Sequence, residues 1–362
     1  MKKYTITVLI SGALFLAMIA PGEACTGILL RAKDGAVVHG RTVEFAQKID
    51  FSMACVPRGH RFVGKTPQGD GLAYRAKYAA LGIMTFTEVS IMDGINEKGL
   101  AAGVFFFPTC AEYTPVTKEN QGKGLSPADF ANWILTQFAT TDEVRKAVES
   151  GAVVITPTVL DGWGPTPPPF HYVVYDKSGK SIVIEPVGGK LVVHDNPFGV
   201  MTNSPTFDWH MTNLRNFIAL RSHDVPAVDI YGTVLKPLGQ GNGMLGLPGD
   251  FTPTARFVRA TAFSLTAVPS ENAAEGILQV FHILNNFDIP LGASVETSNG
   301  TNYYDYTQLT VARDPRNLTY YYKSYDDQTL RKFDMKALDL DRSDVKKWSV
   351  EGKQVIVDMT KK

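Results

Sequence analysis

Apolar positions fall in short alternating or continuous runs near both ends of the chain, while helical spacing dominates two stretches between them. Gly27 to Lys33 and Ala36 to Glu44 read as two strands joined at Asp34-Gly35, a dipeptide suited to a tight hairpin. Met53 to Pro57 and Tyr78 to Thr85 are further strand candidates, separated by a Gly- and Lys-rich excursion. Asp93-Gly94 and Asn96-Glu97-Lys98-Gly99 then read as a turn before a buried strand over Leu100 to Phe107.

Ser126, Pro127 and Asp129 carry the signals of a helix start, with Phe130, Trp133, Ile134 and Phe138 on its apolar side. Thr140 and Glu143 repeat the capping pattern for a shorter helix that stops at Gly151. Asp161 to Phe170, rich in proline, is expected to be irregular. His171 to Tyr175 and Ser181 to Glu185 form a predicted hairpin, and Lys190 to Val193 and Gly199 to Thr202 add short strands leading to Asn203. Helices are expected near Phe207, with His210, Leu214 and Phe217 at helical spacing, behind Thr252-Pro253, and after Pro269-Ser270, the last facing Ile277, Phe281 and Leu284 inward. Tyr306 to Ala312 and Leu318 to Tyr325 are strands around the turn Asp314-Pro315-Arg316-Asn317. Strands, helices, strands, helices, strands in this order imply an α+β protein with two sheets covered by helical layers.

The N-terminal stretch changes how the rest is divided. Lys2 and Lys3 precede an apolar run, Ile6 to Ile19, and Gly22-Glu23-Ala24 supplies small residues before a cut. Residues 1–24 therefore read as a secretion signal, too short to span a bilayer comfortably. Residues 25–362 are expected to form one catalytic domain, with a more polar tail from about residue 334 that could wrap over the body or a partner subunit. The alternative reading makes Cys25 the acylated residue of a lipid-anchored binding protein, although Gly22 stands where such sites usually carry Leu. After cleavage the expected location is the periplasm or the exterior, with no transmembrane anchor.

Charge is balanced, 36 basic against 36 acidic residues, which gives no reason to expect a nucleic-acid or anionic-membrane partner. Only Cys25, Cys55 and Cys110 are present. Neither Cys55 nor Cys110 has the close Cys or His neighbours of a zinc site, and both pairing and burial as free thiols remain open for them. No metal or cofactor is expected. His171, His194, His210 and His282 are scattered and read first as ordinary packed or surface residues.

A cysteine at the start of the mature chain would hold a thiol and a free α-amine on one residue. Such an amine has an ordinary pKa near 8, so it can accept the thiol proton and later return one to a leaving nitrogen. Cys25 then attacks an amide carbonyl, and water hydrolyses the thioester. Arg41 can reach back across the hairpin towards the thiol. Strict alternation puts Glu44 on the opposite face from Arg41, so bringing both into the site requires a turn or bulge after Thr42. An edge-strand ion pair is the alternative for this pair. Asn203, after an apolar strand and before Ser204-Pro205, can donate to an oxyanion or cap a turn, and Arg256 sits early in its helix, where a surface salt bridge is the competing use.

Five ordered blocks carry a resemblance: Cys25-Thr26-Gly27, Gly40-Arg41-Thr42-Val43-Glu44, Asp93 to Leu100, Thr202-Asn203-Ser204-Pro205-Thr206-Phe207-Asp208-Trp209-His210, and Leu247 to Pro253 leading to Arg256-Phe257. From Cys25 to roughly Phe333 the chain resembles the choloylglycine hydrolase family, which groups conjugated bile salt hydrolases with penicillin V acylases. The resemblance implies an N-terminal nucleophile hydrolase with a four-layer αββα sandwich, often a homotetramer, acting on linear amides with a hydrophobic acyl side. It implies Cys25 as nucleophile and base, Arg41 beside the thiol, Glu44 in the site where the family commonly has Asp, Asn203 as oxyanion donor and Arg256 in the surrounding charge network. Phe106 stands where relatives carry Asn or Tyr, so a second oxyanion donor there would be the Phe106 backbone N–H. Met84, Phe86, Phe105 and Phe107 are candidates for the acyl pocket, against the simpler use of such residues as core. A bile salt is the favoured substrate, with penicillin V and acyl-homoserine lactones as alternatives.

Overall fold

The computed structural model describes residues 24–85 and 89–361. Residues 1–23, which hold most of the expected signal, and Phe86 lie outside the described residues.

Two antiparallel sheets face one another. The first runs in the order Cys25–Arg31, Val37–Phe45, Thr301–Asp314, Thr319–Ser324, Arg331–Asp334, with Ser294–Ser298 pairing to the start of the long strand. The second has eight strands: Lys190–Asp195, Ser181–Val187, Phe170–Tyr175, Ala101–Phe106, Ile91–Asn96, Ala80–Met84, Ser52–Val56 and Lys346–Ser349. Between them Leu309, Val311 and Tyr320 meet Met53, Leu81, Ile83 and Ile95 in one apolar cluster. Helices α1 (Asp129–Gln137) and α2 (Thr141–Glu149) cover the outer face of the eight-stranded sheet, where Phe130, Ile134 and Val144 pack on Val104, Tyr172 and Ile184. After the short α3 (Phe207–Asn213), α4 (Pro253–Thr266) and α5 (Ala273–Leu284) cover the other sheet through Phe257, Ile277 and Val280. The four layers are those of the αββα sandwich.

Local chemistry explains most of these boundaries. In the first hairpin Gly35 takes φ +79°, a value that suits glycine, and the register is unbroken from Cys25 opposite Val43 to Arg31 opposite Val37. Ser126 and Asp129 exchange side-chain acceptors for each other's N–H before α1, and Thr140 accepts from the Glu143 N–H at the head of α2. Thr252 caps α4 with Pro253 in its first turn.

Four expectations are corrected. Asp93-Gly94 lies inside the Ile91–Asn96 strand, because Asp93 is buried in an ion pair with Arg313 at 2.9 Å and accepts from Tyr320 Oη at 2.7 Å. The turn closes instead around Asn96, whose Oδ1 accepts from the N–H groups of Lys98 and Leu100. The Gly- and Lys-rich excursion is a separate hairpin, Arg61–Thr66 with Gly69–Arg75. Residues 199–202 form no strand. Met201 makes a two-way backbone bridge with Gly27, at 2.7 and 3.0 Å, and this ties the segment to the Cys25–Arg31 strand. The helix at Phe207 ends at Asn213 and continues as a single 3₁₀ turn, so Leu214 and Phe217 are only half-buried. The polar tail does wrap over the body: Lys346–Ser349 adds an edge strand beside Ser52–Val56.

Candidate active site

Cys25 starts the first strand at the edge of its sheet, 5% exposed, with Ala24 still joined to it. Its sulfur and its nitrogen are held by different groups. Arg41 Nη2 donates to Sγ at 2.7 Å. The Arg41 guanidinium lies 3.9 Å above the Phe105 ring and also donates to the Val104 carbonyl, so its position is set by the neighbouring sheet. A guanidinium at this distance stabilises a thiolate once it forms.

The Cys25 nitrogen donates to Asn203 Oδ1 at 2.8 Å. Arg256 Nη2 donates to that same oxygen at 2.8 Å, while Arg256 Nη1 donates to the Cys25 carbonyl and to Thr26 Oγ1. Asn203 Nδ2 donates to the Phe106 carbonyl at 2.8 Å. Arg256 is fully buried rather than a surface ion-pair partner, and α4 delivers it from the helical layer.

No bulge turns Glu44 towards Arg41. The strand alternates regularly, and the extra residue sits in its partner strand, where the register shifts between Thr307 and Leu309. Arg41 therefore projects on the face shared with the cysteine side chain, and Glu44 on the face shared with Thr26 and Thr42. Both still reach the same centre, because the end of the strand is approached from both sides. Thr307 Oγ1 donates to Glu44 Oε1 at 2.9 Å, and the Glu44 N–H donates to the Ala24 carbonyl at 3.0 Å. Burial pushes the Glu44 carboxyl up to about 8 against the pull of Arg256, and burial likewise raises Asp305, two residues before Thr307, to about 7. Asp305 was not singled out in the sequence, where one acid among 36 carries no signal.

A cavity of about 440 Å³ opens from Cys25 and Arg41. One wall is aromatic: Trp163 lies 5.7 Å from Phe45, 6.1 Å from Phe106 and 5.3 Å from Phe170, ring centre to ring centre. The segment from Phe45 to Phe51 forms another wall. Met84, Phe105 and Phe107 do not line the cavity. Successive strand residues face opposite ways, so Ile83, Thr85, Val104 and Phe106 reach it while Phe105 lies under Arg41 and Phe107 stacks on His171 at 4.1 Å. Trp163, in the proline-rich stretch, and Gln308 were missed. Gln308 holds the Phe45–Phe51 wall by donating to the carbonyls of Phe45 and Gln47 and accepting from the Ile49 N–H.

Among the described residues no group of three or more His, Cys, Asp or Glu side chains is arranged to hold a metal ion. Cys55 and Cys110 are separate free thiols, the first buried in its strand and the second half-buried. No helix among the described residues is long and apolar enough to cross a membrane.

Residues 25–348 match the family described as linear amide C–N hydrolases, choloylglycine hydrolase family. The bile salt hydrolase/transferase of Clostridium perfringens is 34% identical over 325 residues, which is 89% of this chain and 95% of that protein. A crystal structure of a variant of the conjugated bile acid hydrolase from Clostridium perfringens superimposes with TM-score 0.81 at 31% identity, covering 92% of this chain and 99% of the other. The penicillin V acylase from Agrobacterium tumefaciens follows with TM-score 0.73 at 25% identity, over 92% and 94% of the two chains. This chain belongs to the choloylglycine hydrolase family and is a cysteine N-terminal nucleophile amidohydrolase.

Proposed function

We propose that the mature chain hydrolyses conjugated bile salts, cleaving the amide between a large hydrophobic acyl group and glycine or taurine. The observation that carries this reading is the Cys25 sulfur, paired with Arg41 at 2.7 Å, at the mouth of an aromatic-walled cavity of about 440 Å³. Removal of residues 1–24 during export, to the periplasm or beyond, would free the Cys25 amine beside Asn203 Oδ1 and Glu44. That amine takes the thiol proton, and the sulfur attacks the carbonyl carbon. Asn203 and the Phe106 N–H then stabilise the oxyanion, with Arg256 holding the network around them. As the C–N bond breaks, the α-ammonium returns its proton to the leaving nitrogen. The amine next deprotonates water, which attacks the thioester and releases the carboxylic acid and the thiol.

Penicillin V acylation is the second reading, favoured by the four-ring wall of Phe45, Phe106, Trp163 and Phe170, which suits an aromatic acyl group as well as a steroid. Acyl-homoserine lactones share the amide chemistry but not this preference. Turnover of glycocholate, taurocholate, penicillin V and a long-chain acyl-homoserine lactone under one set of conditions separates them. Both bile conjugates are expected to turn over fastest. If they are inert while penicillin V reacts, the preferred substrate is wrong. Intact mass of the active species is expected to begin at Cys25 without lipid, and a lipid adduct would restore the anchored-protein alternative.

Self-association, as a homotetramer, belongs to the same proposal. The hairpin Val228–Ile230 with Thr233–Leu235 stands off the body and exposes Val228, Ile230, Tyr231, Val234, Leu235 and Leu238. A solvated monomer rarely leaves so many apolar side chains together, and a second copy of this chain is the occupant we assign to them.

A further inference from the structure

The Asn203 side chain touches the Cys25 nitrogen, Arg256 and the Phe106 carbonyl together, so its placement governs the site. Its side chain can be no more accurate than the backbone beneath it. Residues 202 and 203 lie in no helix or strand, and regular pairing does not hold their carbonyls. Two buried histidines do. His171 Nε2 donates to the Thr202 carbonyl at 3.0 Å, and His210 Nε2 donates to the Asn203 carbonyl at 2.9 Å.

Both rings are themselves fixed. His171 stacks on Phe107 at 4.1 Å, and its Nδ1 faces Glu185 Oε1 at 3.2 Å. Glu185 is fully buried and accepts from the Phe207 N–H with both oxygens, at 3.0 and 3.1 Å, so it also anchors the first turn of α3. His194 approaches its other oxygen at 3.4 Å. His210, one turn along α3 from Phe207, stacks on Phe257 of α4 at 4.5 Å. Burial keeps its imidazole neutral over the working pH range, so its single proton must sit on Nε2 to meet the carbonyl. Glu185 thus links the second sheet to α3, and the two histidines carry that placement to adjacent peptide groups at the site.

We infer that His171 and His210, anchored by Glu185, are positioning residues that hold the Thr202–Asn203 backbone so that the Asn203 amide meets the nucleophile and the developing oxyanion. This rests on the amidohydrolase mechanism above, but not on which acyl group is cleaved. A misplacement of about 1 Å in such a site costs on the order of 100-fold in rate. A histidine used only for packing would tolerate a ring of the same shape without its N–H.

The test compares His210→Phe, which keeps the stacked ring and loses the donor, with His210→Gln, whose Nε2 sits near the lost N–H. Both are assayed as mature protein that melts cooperatively. His210→Phe is expected to lower kcat about 30- to 100-fold with KM changed less than about threefold. His210→Gln, which restores a donor to the Asn203 carbonyl, should recover most of kcat. Equal loss in the Phe and Gln variants, or parental kcat in His210→Phe, overturns the inference. Failure of the mature parent on all four amides would sink the substrate proposal separately. A second readout then still decides on the histidines. With ¹⁵N-asparagine labelling, the Asn203 side-chain amide is expected to shift and exchange faster in His210→Phe and to stay parental in His210→Gln. An unchanged resonance in His210→Phe refutes the positioning role.

Discussion

At Cys25 two chemical requirements meet in one residue and are met by separate neighbours, the sulfur by Arg41 and the nitrogen by Asn203. Cys25→Ser keeps the shape but replaces the thiol with a far weaker acid, and amide turnover is expected to fall by roughly 10³-fold or more. Near-parental turnover by a variant with verified mass would refute Cys25 as nucleophile. Glu44 gives a prediction about pH. Burial raises its carboxyl from 4.5 to about 8, so the folded chain binds a proton that the unfolded chain has already lost within that window. The stability tied to this proton is complete below pH 4.5 and disappears as pH rises through about 8. Asp305 adds a smaller effect of the same sign, over roughly 3.8 to 7. Urea denaturation of the chain with Ala24 retained should therefore show stability declining from pH 4.5 to 8, and Glu44→Gln should flatten much of the decline. An identical slope in the two proteins would rule out Glu44 as its source. Cys25, Arg41, Asn203 and Arg256 were each legible as chemistry in their sequence blocks. Asp305, His171 and His210 were not, because burial is what gives them their character and no local pattern reports burial of an isolated polar residue.

Among the elements, the long Thr301–Asp314 strand does the most to shape the site. Its extra residue, Gln308, makes three hydrogen bonds to the Phe45–Ile49 segment that walls the cavity. Gln308→Ala leaves two carbonyls and one N–H of that segment without their partner. It is expected to lower stability by about 1–3 kcal/mol and to raise KM several-fold while kcat changes less. A loss of kcat with unchanged KM would mean that Gln308 serves the chemistry and not the wall. The first hairpin, α1, α2, α4 and α5 were legible because each has a local signal: Asp34-Gly35, two capping boxes, and Thr252-Pro253 or Pro269-Ser270 ahead of a helix. Asp93-Gly94 misled because the same dipeptide that favours a turn also fits a crowded strand. A Cβ on Gly94 would come within 2.9 Å of the Leu81 carbonyl, and Asp93 has a buried arginine to pair with.

For the whole molecule, the two sheets bring together groups that are distant in the chain: the nucleophile strand, the segment at 201–203 and α4 meet through the Gly27–Met201 bridge and Arg256. The exposed hairpin at 228–235 belongs to this scale as well. Tyr231→Asp combined with Leu238→Asp is expected to convert an assembled protein to monomers by sedimentation, with the fold retained. Unchanged assembly would remove this arm as the interface. Alternation and capping by themselves determined most of the strands and helices and the layered α+β class, because those signals act over a few residues at a time. The motif blocks determined the family and pointed to Cys25 as its nucleophile. Only the tertiary structure decided that Glu44 lies on the face opposite Arg41, that Phe106 and not Phe105 or Phe107 lines the cavity beside Cys25, and that two buried histidines donate to the Thr202 and Asn203 carbonyls. Those outcomes depend on which buried surfaces come into contact, and contact between distant segments is settled by packing the two sheets and their helices as one body.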